Sequence, residues 1–66
     1  MKVGDSYKNK KTYEGQGEII IAEIGTEYGA NTVRCIHALH QKHKGLNGSV
    51  EIKDISEIEQ YYVKVN

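Results

Sequence analysis

Between Gly17 and Gly25 the chain reads GEIIIAEIG, and three consecutive isoleucines bracketed by glycines constrain the fold more than any other stretch. β-Branched side chains are stiff at χ1 and pack well on a pleated surface, so the segment reads as a strand rather than a helix. Its unbroken apolar run, Ile19 to Ala22, is far too short to span a membrane. The chain has 66 residues, the length of one domain. At this size roughly 60% of the unfolded surface is buried on folding, which allows a small core but not the deep cavity of an elaborate enzyme. With no Phe and no Trp, the core has to come from Ile, Val, Leu and the five tyrosines, Tyr7, Tyr13, Tyr28, Tyr61 and Tyr62.

After the isoleucine strand, TEYGAN (26–31) holds Gly29 and Asn31, which tolerate positive φ, and reads as a hairpin turn. In TVRCIHALHQK (32–42) the periodicities disagree. As a strand it sets Val33, Cys35, His37 and Leu39 on one face and Thr32, Arg34, Ile36, Ala38, His40 and Lys42 on the other. As a helix it is poorly amphipathic, although Asn31 or Thr32 suits a cap and Gly45 a stop. The strand reading is preferred, with an α+β domain carrying a helix over 32–44 as the alternative. KGLNGS (44–49) is a turn, and SVEIKDI (49–55) alternates as a half-buried strand with Val50 and Ile52 on one face and Glu51 and Lys53 on the other. SEIEQ (56–60) reads as one helical turn, and YYVKV (61–65) closes the chain as a strand with Tyr61, Val63 and Val65 sharing a face.

This layout predicts an all-β fold, a small SH3-like barrel of about five strands with one short helical turn before the last strand. The opening VGDSYKN, the alternating VEIKDI, the short SEIEQ and the closing YYVKV resemble the small SH3-like barrel proteins of uncharacterised function that phages and prophages encode. Gly4, Asp5 and Tyr7 match an opening Gly-Asp-x-aromatic step, and Tyr62 and Val65 match a closing aromatic-x-x-Val strand. The resemblance implies an accessory or inhibitor factor that modulates a host component.

Nine Lys and Arg balance nine Asp and Glu, so no global field draws the chain to nucleic acid or an acidic membrane. The charges are nevertheless segmented. Lys2, Lys8, Lys10 and Lys11 open the chain, Glu14, Glu18, Glu23 and Glu27 follow, and Arg34, Lys42 and Lys44 make the centre basic again before an acidic last third. A one-sided basic patch forms if the two basic segments meet in space. A single cysteine, Cys35, permits no internal disulfide, which points to a reducing compartment and hence the cytoplasm. The opening residues lack the apolar run of a signal peptide, so the chain is expected to be soluble, complete and free of the membrane.

His37, His40 and His43 are the only cluster of ligand-type residues. On a helix they converge poorly and on a strand His40 faces away from the other two, so no metal site and no cofactor is expected. They are expected instead to extend a basic surface that gains charge below about pH 6.5. Cys35 beside His37 is half of a thiol pair without a pocket, and is expected to be a small buried apolar residue rather than a nucleophile. GQGE and GLNGS lack the Lys and the following helix of a phosphate-binding loop. These exclusions leave a non-catalytic binding module, acting on a protein as a monomer or homodimer. The expected contacts are Tyr13 and Tyr28 in loops, with Arg34, His40, Lys42 and Lys44, while Tyr7 and Tyr61 pack the barrel. The alternative is a nucleic-acid-binding barrel that uses the central basic segment.

Overall fold

The computed structural model describes residues 1–11 and 16–65. Five strands, β1 (Ser6–Asn9), β2 (Glu18–Thr26), β3 (Gly29–Ala38), β4 (Val50–Asp54) and β5 (Tyr62–Lys64), form one antiparallel sheet in the order β4-β3-β2-β1-β5. A seven-residue helix, α1 (Ile55–Tyr61), runs directly into β5, and a 3₁₀ turn at Lys44–Leu46 lies in the connection between β3 and β4.

The isoleucine run behaves as its composition dictates. Ile19 and Ile21 of β2 pair with His37 and Cys35 of β3, and alternation sends both isoleucines, with Cys35 and Val33, to one face where they are almost fully buried. Ile58 of α1 lies over that face and completes the core, with Tyr7, Ile55 and Tyr62 packed around it. The register of β2 against β3 shifts between Ile21 and Glu23 and again between Ile24 and Thr26. Gly25 sits within the second shift at φ +74, a conformation open mainly to glycine. Such irregularities bend a strand and increase its twist, which curls the sheet around α1. Glu27 and Tyr28 form the tip of the β2–β3 hairpin, as the TEYGAN turn predicts.

The sheet does not close into the expected SH3-like barrel. β4 and β5 occupy opposite edges and do not pair with each other. Closure needs edge strands long and tilted enough to meet, whereas β5 has three residues and β4 five. The helix fills the inner face in their stead. The alternative helix over 32–44 is also excluded. β3 is held between β2 and β4, where its backbone groups find partners on both sides and its β-branched Thr32, Val33 and Ile36 suit the pleat.

Two further expectations about faces are corrected. In β4 the register Val33↔Lys53 and Cys35↔Glu51 turns Glu51 and Lys53 toward the core face, and leaves Val50 58% exposed. Lys53 is buried because its charge is answered there: Nζ donates to Glu51 Oε2 and Glu57 Oε2, both at 3.2 Å, and lies 5.5 Å from the centre of the Tyr62 ring. Burial works against the ammonium charge, yet Tyr62, Glu51 and Glu57 together hold its pKa above the ordinary lysine value. In the closing segment Tyr61, expected in the core, is 52% exposed at the end of α1, and Tyr62 packs inward. Tyr61 O accepts the Lys10 N–H at 2.7 Å, which commits the next residue to the pleat of β5 and to its inner face.

Lys53→Ala should therefore destabilise the fold by about 1–3 kcal/mol, because the stem that covers Tyr62 and the core face is lost, while Lys53→Met should cost less than about 1 kcal/mol by keeping that stem beside two half-exposed carboxylates. Urea unfolding of both variants tests this ordering; equal losses would show that the charge, not the stem, holds β4 to α1.

Candidate functional site

Strand pairing decides which loops share an end of the molecule. Asn9 lies opposite Tyr62, Glu18 opposite Ala38, and Ile36 opposite Val50. The end of β1, the start of β2, the end of β3 and the start of β4 are thus together, so Lys10 and Lys11 emerge at the same end as Lys42 and Lys44. The end of the first basic segment and the central one therefore lie at one end of the sheet, with Lys2 at the other end of β1. None of Lys8, Lys10, Lys11, Lys42 or Lys44 pairs with a carboxylate among the described residues.

Arg34 does not belong to this group. It lies further along β3, where Nη1 donates to Glu23 and Nη2 to Glu27. A hydrogen bond from its own backbone, then Arg34, holds the Glu27 carboxyl below its ordinary value. Tyr28 is 71% exposed at the hairpin tip, the far end of a ten-residue strand. At the rise of a strand that separates it from Lys42 and Lys44 by about 30 Å. Tyr13 lies outside the described residues. Of the six expected contact residues, the fold brings together His40, Lys42 and Lys44.

These three belong to the connection 39–49, which is braced rather than loose. The Asn47 side chain bonds the His40 backbone twice, accepting its N–H at 2.8 Å and donating to its carbonyl at 3.1 Å. Gly48 N–H donates to His37 O at 2.7 Å and His37 N–H to Ser49 O at 2.9 Å, so the hydrogen bonding along the end of β3 continues past the start of β4. Leu39 adopts φ +62, a left-handed conformation that costs a leucine about 1–2 kcal/mol. The connection displays its apolar side chains outward: Leu39 is 66% and Leu46 44% exposed. The sequence reading missed both, since it set Leu39 on the face of Val33 and Cys35. Asn47 followed by Gly48 was the available signal of a structured turn.

His40 has an internal role. Its Nδ1 accepts the Gly17 N–H at 3.2 Å, and its Nε2 lies 3.2 Å from His37 Nδ1, while His37 Nε2 lies 2.8 Å from Glu51 Oε1. Burial, then the neighbouring His37 and His43, push the His40 pKa below the ordinary histidine value. Of the three histidines expected to extend a basic surface, His40 is thus drawn into contacts with Gly17 and His37. The bond with His37, then Lys53, holds the Glu51 carboxyl low. Among the described residues no three His, Cys, Asp or Glu side chains converge on a point where they could hold a metal ion.

Cys35 is fully buried and burial pushes its thiol up to about 11, leaving negligible thiolate at neutral pH. A shallow cleft of about 300 Å³ lies at the other end of β4, lined by Asn31, Asp54, Ile55, Ser56 and Glu59. It shares no residue with the basic loop. Compared with known proteins, the chain matches no family model, no curated protein and no solved structure.

Gly17 is the position where this geometry is least forgiving. A Cβ there would lie 2.2 Å from Ala38 O and 2.6 Å from His40 Cδ2, both inside contact distance. Gly17→Ala should cost about 1–3 kcal/mol of stability and displace the His40 ring, visible as a changed His40 side-chain resonance. Wild-type stability with an unmoved ring would show that the segment before β2 does not press on His40. Cys35 should resist alkylation at pH 7.5 in the folded protein and react in urea; equal rates in both would contradict its burial.

Proposed function

We propose that this protein is a non-catalytic binding module that engages a protein partner through the β3–β4 connection. The observation that carries the reading is a braced loop with a strained Leu39 and outward-facing Leu39 and Leu46, set beside Lys42 and Lys44, which have no carboxylate partner among the described residues. Backbone strain persists only where surrounding structure imposes it, and it collects at functional sites. A loop ordered in advance loses little entropy on binding, and aliphatic anchors ringed by cations suit a partner surface that is apolar at its centre and acidic at its rim. The resemblance to phage-encoded SH3-like proteins makes a host factor in a reducing cytoplasm the favoured partner. A five-strand order with a short helix before the last strand suits an opened version of that architecture.

A second reading has its own observation. Lys8, Lys10, Lys11, Lys42 and Lys44 lie toward one end without carboxylate partners among the described residues, an arrangement that suits a phosphate backbone. The exposed leucines favour the protein partner, because phosphates gain nothing from them.

A pull-down from bacterial lysate with the tagged protein, with and without nuclease at two salt concentrations, separates the readings. A protein retained at both salts after nuclease treatment is expected. Leu39→Gly supplies the sharper test, since glycine adopts φ +62 freely and the variant should fold at least as well as wild type. Loss of the anchor should still weaken partner binding by about 2 kcal/mol, roughly 30-fold. Tyr28→Ala should leave binding unchanged, and a loss there would move the interface to the hairpin tip. Nucleic acid released at the higher salt, with Lys42→Ala and Lys44→Ala flattening the salt dependence, would replace the protein reading with the second.

A further inference from the structure

We propose that His37 and His40 form a proton-operated latch: uptake of one proton by the pair frees the β3–β4 connection from the backbone at Gly17. For its effect on binding this rests on the reading of that connection as the docking loop; the latch itself does not.

The hydrogens of the two rings can be counted. The Gly17 N–H can only donate, so His40 Nδ1, 3.2 Å away, must present its lone pair. A neutral imidazole with a bare Nδ1 carries its hydrogen on Nε2, and that hydrogen points at His37 Nδ1, also 3.2 Å away. His37 Nδ1 is therefore the acceptor, its hydrogen is on Nε2, and it donates to Glu51 Oε1 at 2.8 Å. The chain Gly17→His40→His37→Glu51 thus has one hydrogen for every link and no site for another.

A proton added anywhere on the two rings sets two donors face to face. On His40 Nδ1 it opposes the Gly17 N–H directly. On His37 Nδ1 it opposes the hydrogen on His40 Nε2. The conflict then clears only if His40 turns away or moves its own hydrogen to Nδ1, against Gly17. Either way a bond that holds the His40 ring is lost. The neighbouring charges set the balance. Glu51, on β4, faces His37 with one oxygen, and its other oxygen is occupied by Lys53, which is itself shared with Glu57 of α1. His43, in the connection itself, also disfavours a proton on His40.

The packing amplifies the release. Gly17 is buried against the His40 ring so closely that not even a methyl group fits between Gly17 and the ring or Ala38 O. His40 is in turn tied to Asn47 through both of its backbone groups. A ring that moves off Gly17 therefore disturbs the support of Leu39 and Leu46 on either side of that tie. The sign follows from linkage. The latched form holds its rings neutral and binds fewer protons than the released form, so it dominates above the ordinary histidine pKa and weakens as pH falls through and below about 6.5.

The decisive experiment is a nuclear magnetic resonance titration of the full chain from pH 7.5 to 5.0, which needs no partner. Histidine nitrogen shifts should report His40 as the Nε2–H tautomer and His37 as the Nε2–H tautomer at the upper limit. Amide exchange at Gly17, corrected for its intrinsic rate, should accelerate on acidification by up to about tenfold per pH unit, the limit for release coupled to one proton. His40→Asn serves as the second variant, because its Oδ1 can accept the Gly17 N–H at every pH; the Gly17 acceleration should vanish in it. A pH-independent Gly17 amide in the wild type, the opposite His40 tautomer at pH 7.5, or an unchanged pH response in His40→Asn would overturn the latch. If the titration behaves as expected and partner binding is insensitive to pH, the latch stands and the docking reading of the loop fails.

Discussion

Four of the five core side chains, Ile19, Ile21, Val33 and Cys35, lie on one hairpin, and the fifth, Ile58, comes from α1. Ile58 is the fully buried side chain that α1 sets on the inner face of β2 and β3, with Ile55, Tyr7 and Tyr62 packed around it, and its seating is the contact on which the rest depends. A hairpin alone is marginal in water, and a helix laid across it supplies the missing burial. Placing α1 there has consequences at both of its ends. The preceding strand, β4, is held at one edge, the following strand, β5, is carried to the other, and the sheet stays open between them. Glu57 is brought above β4, which is what lets Lys53 be buried beneath it.

The strands were legible in the sequence because their signals are local. Three isoleucines between glycines, the turn at Glu27 and Tyr28, and the short helical segment before the last strand each follow from residues within a few positions of one another. Face assignments that depend on a distant partner were not legible. Apolar alternation alone turns Val50 and Ile52 inward, but the pairing of Val33 with Lys53 reverses the strand, and Glu51 together with a carboxylate four residues on, in a helix, makes that reversal tolerable. Tyr61 and Tyr62 are indistinguishable by type, and the choice between them is made by where α1 ends. His40 reads as a surface cation until Gly17, 23 residues earlier, is known to donate to it. Lys42 and Lys44 are recognisable as a basic pair in the sequence, yet their proximity to the end of β1 depends on antiparallel pairing that no local pattern encodes.

Zero net charge conceals a polar arrangement. Arg34 and Lys53 are each committed to two carboxylates, while the lysines at the loop end have none among the described residues. Much of the acidic charge is consumed in holding the fold, and the unpaired positive charge is left where the loops are. Screening at physiological salt confines its influence to about 8 Å, so it orients a partner at close range rather than steering it from afar. Such a field sharpens the distinction between partners more than it raises affinity.

The same loop end contains the strained Leu39, the doubly bonded Asn47 and the two imidazoles, and their coincidence has a common cause. An eleven-residue connection in so small a domain would ordinarily be the part most disposed to open, because it buries little apolar surface. Here polar links do the work that burial does elsewhere: Asn47 clamps the backbone at His40, and Gly17 and His37 hold the ring. Order obtained from hydrogen bonds with a fixed proton count differs in kind from order obtained by burying hydrocarbon. Hydrophobic burial is indifferent to pH, whereas a chain with one hydrogen per link fails when a further proton arrives. A domain too small to support its longest loop with a core has thereby made the shape of that loop conditional on protonation.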